Sequence, residues 1–402
     1  MTFEIYHQLG HRDKWNIDSI QEDQTGDGVI ISPRSRSMPR VEDLDNSIKT
    51  KAIFDPQILN PKDVLKKMES YDFYPCCVLP GGFDTDKYIE NSTIIAEKCV
   101  EFQVKNKFRF LVIPTRFYDG LPPVDELIDI QNQQSINPFL GTIKKMGAKN
   151  EIILQLILTG HMIKNKEYTD ALLNWITGIE GISGIYLITE LSPRSKQIRD
   201  AEFLYSLLNF THMLYENKMI TVLGYLNSES LLLSIANPSI VTIGSYGNLR
   251  IFNHRMFDKT EEDLVQVPNL QMYIPTLLDW FDYPYIEIMR RKMPITPHFF
   301  GNNKYLTAMF SPSYHGTAHS IEPYKHYFIE ISKQLRHISS IENKNRYLEV
   351  CKIIESAKDG FSQLDKAGID VGEQGSFLSH WLTAAHQFAD NRQWRGTNGV
   401  QQ

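Results

Sequence analysis

Short, β-branched apolar runs punctuate the first 250 residues, and between them apolar residues fall three and four apart, the spacing of one helix face. The runs are Val29-Ile30-Ile31, Ala52-Ile53-Phe54, Cys76-Cys77-Val78-Leu79, Phe110-Leu111-Val112-Ile113, Ile152-Ile153-Leu154, Gly184-Ile185-Tyr186-Leu187-Ile188, Ile220-Thr221-Val222-Leu223 and Val241-Thr242-Ile243, eight in all. Each is nearly continuous in apolar character, as a strand covered by helices requires. The intervening segments carry helix-start signals. Asn60-Pro61 precedes Val64, Leu65 and Met68, and Asp84 or Thr85 caps a stretch holding Ile89, Ile95, Cys99 and Phe102. Thr169 or Asp170 caps Leu172-Leu173 and Ile176, ending at Gly178, and Phe203, Leu204, Leu207, Leu208 and Leu214 form the longest stripe.

Eight βα units without a hairpin signal predict a (β/α)8 TIM-like barrel over 29–250, with an open doubly wound parallel sheet as the alternative. Residues 1–28 read as a lead-in. From 251 to 325 the chain is rich in Pro and aromatics and reads as an irregular lid region after the eighth strand. Helical periodicity returns in 326–402, read as C-terminal helices packing on the barrel, one of them able to serve as its eighth helix, with a frayed tail.

Composition narrows the classes. The chain has 402 residues, 42% hydrophobic and 22% charged, which supports a large core and excludes disorder as the main state. A formal net charge of -6 with no block of like charge argues against broad nucleic-acid binding but not against a local basic pocket. The start, Met1-Thr2-Phe3-Glu4-Ile5, has no basic segment followed by an apolar one, and no apolar run reaches the 18 or so residues of a membrane span. Cys76, Cys77, Cys99 and Cys351 lack metal spacing, so a cytoplasmic protein with reduced thiols is expected.

In a parallel barrel the strands' C-terminal ends converge on one mouth, where active sites lie. Nearly every predicted end carries a polar or charged side chain. Asp55 and Glu190 are the candidate acid–base or nucleophilic carboxylates, and His161 after Thr159-Gly160 is a candidate proton carrier. Arg34, Arg116 and Arg250 offer planar donors to an anion, with Gln57 and Asn227 beside them. The turn Gly244-Ser245-Tyr246-Gly247-Asn248-Leu249-Arg250 reads as an anion cradle after the eighth strand, Gly244, Gly247 and Asn248 admitting close approach. His315 and His319 are four apart, but Gly316 breaks the helix a metal pair would need, and no metal ligands are assigned. The aromatic stretch Trp280-Phe281-Asp282-Tyr283-Pro284-Tyr285 reads as packing for the excursion or as a stacking wall for a ring.

Absent motifs remove several chemistries. There is no Walker loop, Rossmann fingerprint or other organic-cofactor motif, no His-x-His on the first predicted strand, and no lysine at a predicted strand end. Pro80-Gly81-Gly82-Phe83 is similar to the Ser-Gly-Gly-Phe segment of the tRNA-guanine transglycosylase family, which are also (β/α)8 barrels. The similarity covers four residues; Leu79-Pro80 stands where that family has an aspartate, and its Cys-rich zinc site is missing. What it implies is base or glycosyl exchange among the reactions to consider.

Two functional readings follow. One is a soluble barrel enzyme performing hydrolysis or group transfer on a small anionic or nucleotide-like substrate. The other is a non-catalytic barrel that binds a nucleotide or protein, using the lid region and C-terminal helices. A protein partner or homo-oligomer is compatible with both, and a membrane with neither.

Overall fold

The computed structural model describes residues 2–59, 66–78, 85–191, 197–257, 269–293, 298–372 and 374–395. Eight parallel strands form one sheet: β1 (Glu4–Gln8), β2 (Gly28–Ile31), β3 (Ala52–Phe54), β4 (Phe110–Ile113), β5 (Glu151–Thr159), β6 (Gly184–Glu190), β7 (Ile220–Leu223) and β8 (Ile240–Gly244). The order is β3-β2-β1-β8-β7-β6-β5-β4, and the Arg109 amide donates to the Ala52 carbonyl at 3.0 Å across the remaining seam. The sheet therefore rolls into a nearly closed (β/α)8 barrel, as expected, and not into an open doubly wound sheet.

Two strand assignments change. Glu4–Gln8, in the segment read as a lead-in, is the central strand between β2 and β8. Its Glu, His and Gln interrupt the apolar run that marks the other strands. His7 nevertheless is fully buried and faces outward, its ring 4.7 Å from that of Phe328. Asn16 Nδ2 donates to its Nδ1 at 3.1 Å, and its Nε2 meets the Thr25 carbonyl at 3.3 Å, so the ring's polar atoms are matched. Burial drives its pKa down to about 4, keeping it neutral. Conversely, the predicted strand at Cys76 is a helical turn, Pro75–Val78. Pro75 suits a first helical position, and Cys77 N donates to Tyr74 O at 2.8 Å. Beside it, outside β3, Phe54 packs with Tyr71, Phe73, Phe102 and Phe108 at centroid distances of 4.9–6.1 Å. The count of eight stood because one omission offset one false strand.

The helix Thr85–Lys105 forms where its cap signal placed it, though it follows the Cys76 turn and not a strand, whereas the helix after β5 starts earlier than expected, at Lys166, because the Asn165 side chain accepts from Tyr168 N. Of the stretch at Asn60-Pro61, residues 60–65 lie outside the described ones. The region after β8 is not irregular throughout. It holds an antiparallel hairpin, β9 (Gln271–Ile274) and β10 (Asp279–Asp282), then helices Tyr283–Lys292 and Lys304–Met309.

The helix Glu322–Ser339 takes the eighth barrel position, lying beside Lys14–Asp23 and covering β1; Phe3 N donates to Ser339 Oγ at 3.0 Å. The connection after β7 contains only a single helical turn, Ser230–Leu233, followed by another at 234–236. Helices Asn343–Lys366 and Phe377–Asn391 fill the vacant flank. Arg346 Nη1 donates to Ser234 O and Asn237 Oδ1, and Trp381 Nε1 donates to Ile198 O. Among the described residues, no helix is long and apolar enough to cross a membrane.

Candidate functional site

Side chains alternate across a strand. Phe54 faces outward, so Asp55 at the end of β3 faces the barrel axis. It is 1% exposed, and its Oδ1 accepts from Gln155 Nε2 of β5 at 2.6 Å and from Gln57 N at 3.2 Å. Tyr186 of β6 donates to Oδ2 at 3.4 Å. Burial raises the Asp55 carboxyl to about 7, against the lowering effect of these bonds. The network continues: Gln57 Nε2 donates to Tyr225 Oη at 2.9 Å, and Gln57 Oε1 accepts from Arg34 N at 3.2 Å. Gln57 and Tyr225 both hold left-handed backbones, φ 55 and 56, at a cost of about 1–2 kcal/mol each for a residue with a side chain. Gly224 makes room for the centre: a Cβ there would stand 2.6 Å from the Tyr186 ring.

The segment after β8 crosses above this centre. Phe252 packs edge-on against Tyr225 at 5.2 Å and bridges in parallel to Glu190, and Met256 O accepts from Arg34 Nε at 3.1 Å. Glu190, at the end of β6, meets His254 Nδ1 at 2.6 Å and accepts from Asn253 Nδ2 at 3.2 Å. The His254 ring stacks on Phe117, beyond β4, at 4.8 Å, and its side chain is 35% exposed. With Nδ1 donating to the carboxylate, Nε2 is left as the working atom of a carboxylate–imidazole pair.

Two cavities open beside this segment, on either side of the turn after β8. The first, of about 360 Å³, is lined by Asn227, Gly247, Asn248 and Arg250 together with Gln271, Asp279, Trp280 and Tyr324. Arg250 is 8% exposed, stacks on Trp280 at 4.0 Å, and leaves Nε and Nη1 without a hydrogen-bond partner among the described residues. Burial lowers its pKa and raises that of neighbouring Glu229 to about 7. The second cavity, of about 330 Å³, is lined by His11, Arg12, Arg34, Ser35, Tyr246, Asn248 and His319, among others. Tyr246 and Asn248 border both.

The expected site residues thus fall into groups. Asp55, Gln57 and Arg34 form one bonded chain, and Asn227, Gly247, Asn248 and Arg250 share one cavity. Gly244 acts structurally: a Cβ there would lie 2.4 Å from Leu249 O, so it permits the turn to fold back on β8. Arg116 sits on the β4 side, its guanidinium 5.7 Å from the Tyr88 ring and 5.8 Å from that of Tyr118. His161 is exposed on the turn after β5 and joins neither group. Pro80-Gly81-Gly82-Phe83 lies outside the described residues.

Sequence reasoning missed Gln155, Tyr186, Tyr225, His254, His11 and Arg12. Gln155 had a usable signal, a lone amide in the run Ile152–Leu158, which marks an inward position. Trp280 packs β10 against Tyr327 at 4.8 Å, as the packing reading of its stretch expects, and it also lines the first cavity. Among the described residues no group of three or more His, Cys, Asp and Glu side chains is arranged to hold a metal ion.

No family model and no curated protein matches the sequence. Among solved structures, the chain is similar to the crystal structure of Xyn30A, a glycoside hydrolase family 30 subfamily 8 xylanase from Clostridium acetobutylicum. The similarity has 11% identity over 64% of this chain and 68% of that one, with a TM-score of 0.34, and carries neither activity nor substrate across.

Proposed function

We propose that the chain is a barrel enzyme that holds a small anionic substrate at the C-terminal mouth, against Arg250, and acts on it by hydrolysis or group transfer. In this reading Glu190 and His254 supply acid–base catalysis, and Asp55 is the carboxyl beneath them. Arg34, Gln57, Asn227, Gly247 and Asn248 shape the binding surface. His161 and Arg116 have no part in it.

One observation carries the reading. A guanidinium stays charged in proteins, and leaving such a charge buried and unpaired costs several kcal/mol. Arg250 is buried with two free donor nitrogens beside a cavity, at the strand ends where barrels bind anions. The aromatic wall of Trp280 and Tyr324 suits an anion that also bears a ring, the nucleotide-like class.

A second reading, binding without turnover, is favoured by Phe252 lying against Tyr225 over a carboxyl that is 1% exposed. The test has two stages. Inorganic phosphate, against chloride at matched ionic strength, is expected to raise the melting temperature of the wild type, and to raise that of Arg250→Gln by clearly less. No phosphate-specific shift in either protein would end the anion assignment. Phosphate esters and nucleotides that stabilise the protein are then followed for product; stabilisation with none formed selects the second reading.

A further inference from the structure

The second cavity has a chemistry of its own. Its wall contains Arg12 and Arg34 with His11 and His319, and among the described residues no carboxylate lines it. Lys67 closes its edge: Nζ donates to His11 Nδ1 at 2.8 Å and to Ser35 O at 2.9 Å. An imidazole that accepts at Nδ1 carries its proton on Nε2, so His11 is left with a donor and no free acceptor. Burial, Lys67 and Arg34 all hold its pKa down. The nearby acid, Asp13, is already engaged by Arg36 Nε at 2.6 Å. Arg12 and Arg34 are positioned by carbonyls rather than by acids: Arg12 Nη1 donates to His319 O at 2.9 Å and Arg34 Nε to Met256 O at 3.1 Å. In a chain of net charge -6, three cations around one cavity with no acid among the described residues of its wall form a local field that attracts an anion.

This cavity and the one at Arg250 share Tyr246 and Asn248, so one molecule can reach both. We infer that His11, Arg12, Arg34 and Lys67 form a second anion subsite, and that the substrate carries two anionic groups, one on each side of the Tyr246–Asn248 turn. The inference rests on the proposed role of Arg250 and specifies the substrate of that same mouth as a bisphosphate or similar bis-anion. Arg250 would hold one end among amides and aromatics, where the carboxylate of Asp279 in the same wall is already engaged by Gln197 Nε2 at 2.9 Å and Trp280 N at 2.8 Å, and the basic cluster would hold the other.

Calorimetric titration tests it with inorganic phosphate and a series of α,ω-alkanediol bisphosphates of increasing length. The wild type is expected to bind two phosphates. One bisphosphate length should bind with a stoichiometry of one and about a hundredfold more tightly than phosphate, since joining two ligands makes the second contact intramolecular. Arg250→Gln should remove one phosphate and Arg34→Gln the other, each abolishing the bisphosphate advantage. Lys67→Gln, which leaves the bond to Met256 intact, should weaken the same site as Arg34→Gln and guards against misfolding of that variant. A single phosphate, lost in Arg250→Gln and untouched by the other two changes, would overturn the second subsite while sparing the Arg250 reading. A phosphate lost only in Arg34→Gln and Lys67→Gln would keep the basic cluster and overturn the reading on which the bis-anion rests.

Discussion

Replacing Asp55 with Asn tests whether the carboxyl at the barrel's centre is neutral in the folded state. Burial raises its pKa from 3.8 to about 7. The fold therefore binds the proton more tightly than the unfolded chain does, and this stabilisation is complete below pH 3.8 and lost as pH rises towards 7. At about 1.36 kcal/mol per tenfold in proton affinity, the loss amounts to about 4 kcal/mol, of which about 3 falls above pH 5. Asn copies the shape of the protonated acid. Its carbonyl can accept from Gln155 Nε2 and Gln57 N, and its amide can turn to the Tyr186 hydroxyl. Urea unfolding of both proteins at a series of pH values should show similar stabilities near pH 5. Asp55→Asn should then gain on the wild type by about 3 kcal/mol as pH passes 7. Glu229, also raised to about 7, titrates in both proteins and cancels from the comparison. A gap that stays constant from about pH 5 to about pH 8, or moves in favour of the wild type, would show that Asp55 is ionised in the fold, and the argument from burial would be wrong.

Two further outcomes follow from the geometry. Once a turned-over substrate is in hand, Glu190→Gln and His254→Asn should each lower kcat by about 10²–10⁴-fold with KM little changed, and the double variant should be no worse than the weaker single one; additive losses would mean the two do not act as a pair. Gly224→Ala should destabilise the fold by about 1–3 kcal/mol in urea unfolding, because its methyl group meets the Tyr186 ring at 2.6 Å and that ring is held by Asp55.

The barrel was legible in the chain because seven of its strands are short apolar runs separated by helix signals. β1 was not, since a strand whose outward histidine is satisfied by Asn16 and Thr25 hides its burial behind polar letters. Missing it also hid His11 and Arg12, which follow it directly. Pro75–Val78 misled in the opposite sense, because an apolar run of four residues fits a helical turn as well as a strand until its backbone hydrogen bonds are known. At the site, the ends of β3, β6 and β8 could be read as Asp55, Glu190 and Arg250, yet their partners could not. Gln155 and Tyr186 act from mid-strand, and His254 reaches Glu190 across 64 residues, a proximity that only the closed barrel creates.

The contact of Phe3 with Ser339, 336 residues apart, has a consequence for how the molecule is made. During synthesis β1 cannot complete its ladder until β8 has been made, nor cover its outer face until the helix Glu322–Ser339 emerges. At about 5–20 residues per second, β1 waits for tens of seconds with its β8-facing edge and His7 exposed. Its polar letters keep that interval safe: Glu4, His7 and Gln8 make a poor template for aggregation where a Val/Ile run would make a good one. The composition that conceals β1 from sequence reading thus suits a strand that must stay soluble until the helix Glu322–Ser339, more than 300 residues later, has been made.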